Sequence, residues 1–336
     1  LLGTVAAPGT GNGGYAHIHV EIHPGSGCAA SGSPIPFDDA HGTRFEGAPN
    51  LPSMGTTVNQ YSGTALTRDA AVDVFLIVDL SGSFFDDLAV FKAQASDIVT
   101  SLSENNPNTR FGLGRFEDYP ISPFGSLSYG DKAYERVADL TFDTSAVVGL
   151  ISGLSVRYGS DVPESQLVAL YQAATGAGQD LSAQGYPNAS IPAGQQANFR
   201  DGAEKIFILW TDAPFHYSGD SGNIPYPGPT FDETVAAIEA LDPPMVLGIS
   251  SGSATVDLAR IAAATNALAP NEGVDCNDDG IIEILAGEPM VCTISTSGHG
   301  IGEAIIALVE AATEPDRTFL PIVFQSSLAG ASIPAP

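Results

Sequence analysis

Short apolar runs and amphipathic stretches alternate along this chain from residue 71 onward. Residues 72–79, 110–116, 205–211, 245–250 and 290–294 are compact apolar runs and read as strands. Strands that are apolar on both faces belong inside a parallel sheet covered on two sides. Between them, apolar residues recur at helical spacing over 87–102, 144–153, 164–176, 231–241, 255–266 and 300–312. The alternation predicts an α/β fold, a doubly wound and mostly parallel central sheet with helices on both faces. Residues 319–324 add a candidate edge strand.

Before this pattern begins, residues 1–70 are rich in Gly, Pro, Ser and Thr and predict an irregular arm or small β appendage. Its one strand-like run is 15–22, where His17, His19 and His23 share one face with Glu21. That face is either an exposed polar one or a zinc or copper site. The α/β domain is expected over 71–325, with an acidic insertion at about 270–292, and 326–336 read as a tail or linker. No stretch is apolar for the roughly 18 residues that a membrane helix needs. The opening residues Leu1 to Ala7 resemble the end of a secretory leader.

Charge narrows the choice of partner. The 336 residues carry 39 acidic against 12 basic side chains, a formal net charge of −27. Nucleic acid and anionic membranes both need a basic face, so neither is expected to bind. Divalent cations fit the charge, and so does adaptation to salty surroundings. Cys276 and Cys292 flank the acidic insertion and can close it as a disulfide, leaving Cys28 free or paired elsewhere. That usage favours an oxidising compartment, secreted or at the cell surface.

The most telling residues follow the first strand: Asp79-Leu80-Ser81-Gly82-Ser83. An Asp and two hydroxyls at alternate positions on a strand-to-helix turn can aim three oxygens at one point, as hard divalent cations require. Open α/β sheets place ligand sites at that edge. Helix capping by Asp79 or Ser81, and favourable first-turn charges at Asp86 and Asp87, are the plainer readings of these residues taken singly. With Phe84-Phe85-Asp86-Asp87-Leu88 next in line, the chain resembles a von Willebrand factor A domain, more specifically the I-like domain of integrin β subunits. Three further segments agree in order: Arg110 to Asp118, Ser160-Asp161-Val162-Pro163-Glu164, and Ile206 to Ala213 ending in Thr-Asp-Ala.

The resemblance implies a metal-ion-dependent adhesion site formed by Asp79, Ser81, Ser83, Glu164 and Asp212, holding Mg2+ or Mn2+. It implies an adjacent Ca2+ site at Asp86 and Asp87, and a third Ca2+ site at Asp118, Asp161, the Pro163 carbonyl and the far side of Glu164. Carboxylates converging from several strand ends independently call for cations to neutralise them. The chain departs from the family at Gly159, where a side-chain oxygen from Asn is usual, and the stretch from Tyr119 to Tyr158 lacks the family's small disulfide loop.

A second cation loop is read at Asp275, Asn277, Asp279, Ile281 and Glu283, with Gly280 at the turn. This is an EF-hand-like calcium spacing without its final bidentate Glu, or else a solvated acidic turn. The expected function is an extracellular, cation-dependent adhesion module that captures a partner carboxylate from another protein or from a copy of itself. Two other readings remain. One is a metal-stabilised subunit of a surface layer or filament. The other is a serine hydrolase built on Gly248-Ile249-Ser250-Ser251-Gly252, with His299 and Asp257 or Asp275 as partners. Catalysis is not expected.

Overall fold

The computed structural model describes residues 71–219, 224–241 and 244–313, together with the backbone of two short strands, Val5–Ala6 and His17–Ile18. Those two strands pair antiparallel, Val5 opposite Ile18. The rest of the 15–22 run, His19, His23, Cys28 and the candidate strand 319–324 lie outside the described residues.

Six strands form the main sheet: β1 (Val72–Asp79), β2 (Thr109–Phe116), β3 (Glu135–Thr141), β4 (Glu204–Thr211), β5 (Met245–Ser250) and β6 (Val291–Thr293). Their order is β3-β2-β1-β4-β5-β6. All neighbours are parallel except β2 and β3. The helices are α1 (Phe85–Asn105), α2 (Thr144–Gly153), α3 (Gln166–Thr175), α4 (Phe231–Glu239), α5 (Thr255–Ala264) and α6 (Ile301–Thr313). The predicted α/β architecture is the one found. The β3 strand is an addition, because its sequence ERVADLT is polar and only Ala138 is buried.

β1 explains the two-sided core. Val74, Leu76 and Val78 face one cluster with Leu88, Phe91, Ile208, Trp210, Ile301 and Ile305. Phe75 and Ile77 face the other, with Leu167, Leu170, Phe207, Leu209, Leu258 and Ile261. Successive side chains of a strand point to opposite faces, so each apolar pair serves both layers. Gly112 on β2 is set by this packing: a Cβ there would lie 2.5 Å from the Phe75 ring.

The parallel strands all end on one side. Asp79 pairs in register with Phe116, Val78 with Trp210, and Thr211 with Ser250. The turns after β1, β2, β4 and β5 therefore share one edge. Beneath the first turn, Phe84 is fully buried and packs on Trp210 with ring centroids 4.5 Å apart. Burying a side chain of that size contributes about 1.5–3 kcal/mol, enough to pin the turn that follows Asp79.

A candidate metal centre at the carboxyl edge of the sheet

Asp79 is completely buried at the end of β1. Its Oδ1 accepts the Ser81 N–H at 2.8 Å, and its Oδ2 accepts the Thr211 hydroxyl at 2.6 Å. Gln166, the first residue of α3, in turn donates to Thr211 Oγ1 at 2.9 Å. Ser81 Oγ lies 3.1 Å from Ser83 Oγ, and Ser83 donates to Asp212 Oδ1 at 3.2 Å. Neither serine caps the following helical turn. The hydroxyls face the carboxylates across the sheet edge. Asp212 is fixed from behind, since Ser253 N–H donates to its carbonyl at 2.8 Å. Gly252 packs so close that a Cβ would meet that carbonyl oxygen at 2.3 Å.

Glu164 completes the group from the loop before α3. Its backbone is held by the Glu164 N–H to Pro214 carbonyl bond at 3.0 Å and by His216 N–H to the Glu164 carbonyl at 2.9 Å. Its side chain is buried, and Oε2 accepts no hydrogen bond among the described residues. The surroundings raise the pKa of each of these carboxyls. Burial pushes Asp79 up to about 7, with the Asp212 charge adding to it. Burial raises Glu164 well above the ordinary value, with Asp79, Asp118 and Asp161 adding, and burial also raises Asp212. The donor set suits a hard dication: carboxylates and hydroxyls, with one buried carboxylate oxygen left over.

Asp86 and Asp87 both fall in the first turn of α1 but differ in setting. Asp86 is exposed. Asp87 is buried, neither of its oxygens has a hydrogen-bond partner among the described residues, and burial pushes it to about 7. The loop before α6 covers it: a Cβ on Gly298 would lie 2.7 Å from the Asp87 Cα.

The third group contains a residue that sequence reasoning missed. Asp118 is fully buried, and its Oδ1 accepts Tyr119 N–H at 2.6 Å and Tyr226 Oη–H at 2.9 Å. His216 Nε2 lies 3.3 Å from Asp118 Oδ2 and 3.2 Å from Asp161 Oδ2. Oxygens and nitrogen from these three side chains lie within 4.8 Å of one another. Burial acts to lower the His216 pKa, but the two aspartates outweigh it and raise it to about 9. Pro163 sits in the same loop, between Asp161 and Glu164. At Gly159 the backbone has φ +59°, and a Cβ would stand 2.6 Å from Glu164 Oε1. The Glu164 carboxylate thus occupies the space beside the glycine. The usable signal for His216 was its place four residues beyond Asp212, on the loop leaving a site strand. Thr211 and Glu117 were missed too. Glu117 is buried, paired with Arg115 Nη1 at 2.8 Å and accepting Lys132 N–H at 2.8 Å, and burial still pushes it to about 8.

In the acidic insertion, Asp275, Asp279 and Glu283 bring carboxylate oxygens within 4.8 Å of one another. Asp275 Oδ2 accepts Gly280 N–H at 2.7 Å, and Asn277 Oδ1 accepts Asp279 N–H at 3.0 Å. Asp279 Oδ1 accepts Ile281 N–H at 2.8 Å, and Glu283 Oε2 accepts Cys276 N–H at 2.7 Å. The structure joins Cys276 to Cys292 in β6 by a disulfide, anchoring the insertion to the sheet.

Ser250 stands elsewhere in chemical terms. It is buried, and its hydroxyl is engaged by Thr255 Oγ1 at 3.0 Å and the Gly252 carbonyl at 3.4 Å. Asp257 accepts from Phe215 N–H at 3.0 Å and Tyr217 Oη–H at 2.7 Å. His299 lies in the loop before α6, with Nδ1 3.4 Å from the Ser297 carbonyl. No hydrogen bond links Ser250, His299 and either Asp257 or Asp275 among the described residues.

Residues 67–180 match the family model for the integrin beta chain VWA domain. That segment holds Asp79 through Glu164, while Asp212 and His216 lie beyond it. The chain is similar to human integrin beta-6, 24% identical over 170 residues, covering 46% of this chain and 19% of the relative. It is similar also to Xenopus laevis integrin beta-1-A, 25% identical over 167 residues with the same coverage. The chain thus spans only about a fifth of the length of these relatives. Among solved structures it overlaps proximal thread matrix protein 1 from the mussel byssus, with TM-score 0.41 and 15% identity over 72% of this chain and 48% of that one. Among the described residues no helix is long and apolar enough to cross a membrane.

Proposed function

We propose, from its likeness to the integrin beta chain VWA domain over residues 67–180, that the chain is an extracellular adhesion module that binds a partner protein in a divalent-cation-dependent way. Asp79, Ser81, Ser83, Glu164 and Asp212 hold the central Mg2+ or Mn2+, and Asp86 with Asp87 holds an adjacent Ca2+. A bound dication neutralises the carboxylates and leaves a coordination position for a carboxylate from the partner. Asp275, Asn277, Asp279, the Ile281 carbonyl and Glu283 form a calcium clip on the disulfide-anchored insertion. Residues 1–70 and 326–336 flank the binding domain as arm and tail.

The observation that carries this reading is the convergence of buried acids on one sheet edge. The charges raising Asp79 and Glu164 are those of neighbouring carboxylates, a setting that favours an added cation. Apolar side chains border the same edge: Phe85, Val162 and Val256 are 70%, 69% and 80% exposed. Such residues suit a protein surface better than a small ion as the final ligand. Catalysis is no part of the reading, in keeping with the buried and occupied hydroxyl of Ser250.

The test is thermal unfolding of the chelator-stripped chain titrated separately with Mg2+, Mn2+ and Ca2+. An ion at a hundred times its dissociation constant adds about 2.7 kcal/mol. The expected result is a saturable rise with Mg2+ or Mn2+ that is lost in Asp79→Ala. No rise with any ion, or an undiminished rise in Asp79→Ala, rejects the central site.

A further inference from the structure

We propose that the third site is a mixed histidine–carboxylate centre, built by His216, Asp118 and Asp161 beside Glu164, and that it selects a transition-metal dication such as Zn2+ over Ca2+. The inference deepens the reading of this sheet edge given above, but it stands on its own residues.

Three observations carry it. First, the spacing is that of a coordination shell. His216 Nε2 stands 3.3 and 3.2 Å from carboxylate oxygens of Asp118 and Asp161. Charge-assisted hydrogen bonds close to about 2.7–2.9 Å, whereas ligand atoms about 2.0–2.1 Å from a shared tetrahedral ion lie about 3.3 Å apart. Second, carboxylate oxygens in and beside this cluster have no hydrogen bond among the described residues: Asp118 Oδ2, which faces His216, and Asp161 Oδ1 and Glu164 Oε2 in the adjoining loop. Asp118 and Glu164 are both more than nine-tenths buried. Leaving such buried acceptors bare is costly, and a cation held by Asp118 and Asp161 relieves that cost. Third, the ligands are held from behind as ligands usually are. Asp118 spends its other oxygen on Tyr119 N–H and Tyr226 Oη–H. The His216 ring stacks on Tyr226 at 4.2 Å and meets the Phe124 edge at 5.2 Å, so its orientation is fixed.

The choice of ion follows from the donors. Calcium takes six to eight oxygens and gains little from imidazole. Imidazole with carboxylates suits zinc and its neighbours. Gly159 contributes no side-chain oxygen, and the space beside it is filled by Glu164.

The test uses the chelator-stripped full chain titrated with Co2+ and Zn2+ in excess Ca2+, compared with His216→Gln, Asp161→Asn, Asp79→Ala and a His17→Ala/His19→Ala/His23→Ala variant. Circular dichroism checks that each is folded. The expected result is one equivalent of Zn2+ bound at least about a hundredfold more tightly than Ca2+. The Co2+ form should show a paramagnetically shifted, exchangeable imidazole proton. His216→Gln should lose that resonance and weaken Zn2+ by about a hundredfold or more, since even supporting residues of metal ligands cost 10–100-fold. Asp161→Asn, at a half-buried position, decides the matter should His216→Gln not fold. Zn2+ binding no tighter than Ca2+, binding retained in both variants, or binding lost only in the N-terminal variant overturns the proposal. Asp79→Ala separates the two readings: loss of the Mg2+ response with the Co2+ signal intact keeps both. An unchanged Mg2+ response removes the adhesion site and leaves this one to be judged on His216.

Discussion

The strand β1 buries an aspartate at each end, Asp73 near its start and Asp79 at its finish, both 0% exposed. Asp73 is met by a single residue made for it. Arg200 donates its backbone N–H at 2.7 Å and its Nε at 2.8 Å to the two carboxylate oxygens, and its remaining nitrogens reach Asn108 and the Val72 carbonyl. Asp79 receives a backbone N–H and a hydroxyl, and the charge bearing on it is that of Asp212. Burial is identical at the two ends, yet one carboxylate meets a basic side chain and the other meets none among the described residues. A buried acid becomes a candidate ligand through what its neighbours withhold.

The sharpest way to break this comparison is to remove the built-in cation. Arg200→Met should destabilise the chain by about 3–5 kcal/mol, the usual cost of stranding one partner of a buried pair. The loss, read by urea unfolding, should be the same with and without Mg2+. At the other end, removing Mg2+ should cost about 2.7 kcal/mol relative to Mg2+ held at a hundred times its dissociation constant. In Asp79→Ala that difference should vanish. A cation response in Arg200→Met that differs from wild type would mean the two ends are coupled.

Acidity offers a gentler probe. Asp79 and Asp87 are raised to about 7, above their ordinary 3.8, so the folded chain holds those protons more tightly than the unfolded one. Their contribution is full below about pH 4 and is lost as pH rises through about 7, at up to about 1.4 kcal/mol per pH unit for each carboxyl. The stripped protein should therefore melt higher at roughly pH 5 than at roughly pH 8, with the trend flattened by Mg2+. A metal-free melting point that climbs between those values would contradict the placement of these acids. The smallest effect is expected at the sheet margin, where exposed Lys132 pairs with Glu135. Lys132→Ala should cost under about 1 kcal/mol and little at high salt, measured by the same unfolding.

Most of the frame was legible in the sequence because the parallel strands are apolar on both faces. Residues 72–79 and 245–250 were read with the boundaries the structure gives. β3 was not, because an antiparallel edge strand with one buried residue looks like a polar loop. The helix expected from residue 164 starts at Gln166, since Glu164 is held in extended backbone opposite Phe215. At the site, Asp79, Ser81, Ser83 and Asp212 announce themselves by following strands, and the structure draws them into one chain of contacts. His216 and Thr211 were not legible. A histidine's role depends on which acids the fold turns toward it, and Thr211, though part of the Thr-Asp-Ala segment, gives no sign in the sequence of its hydroxyl bond to Asp79. The split between exposed Asp86 and buried Asp87 is likewise a matter of helix phase that the pair DD conceals.

The packing of Phe84 on Trp210 gives the molecule its own optical gauge. The chain has one tryptophan, and it lies on the strand that ends in Thr211, roofed by the ring that anchors the Ser81–Ser83 turn. A second ring, Phe91, closes on it at 5.4 Å, so the indole is walled off from solvent. Any shift of that turn changes the polarity and quenching around a single fluorophore. Under conditions where the fold is intact, emission recorded from the unlabelled protein therefore follows the edge of the sheet directly.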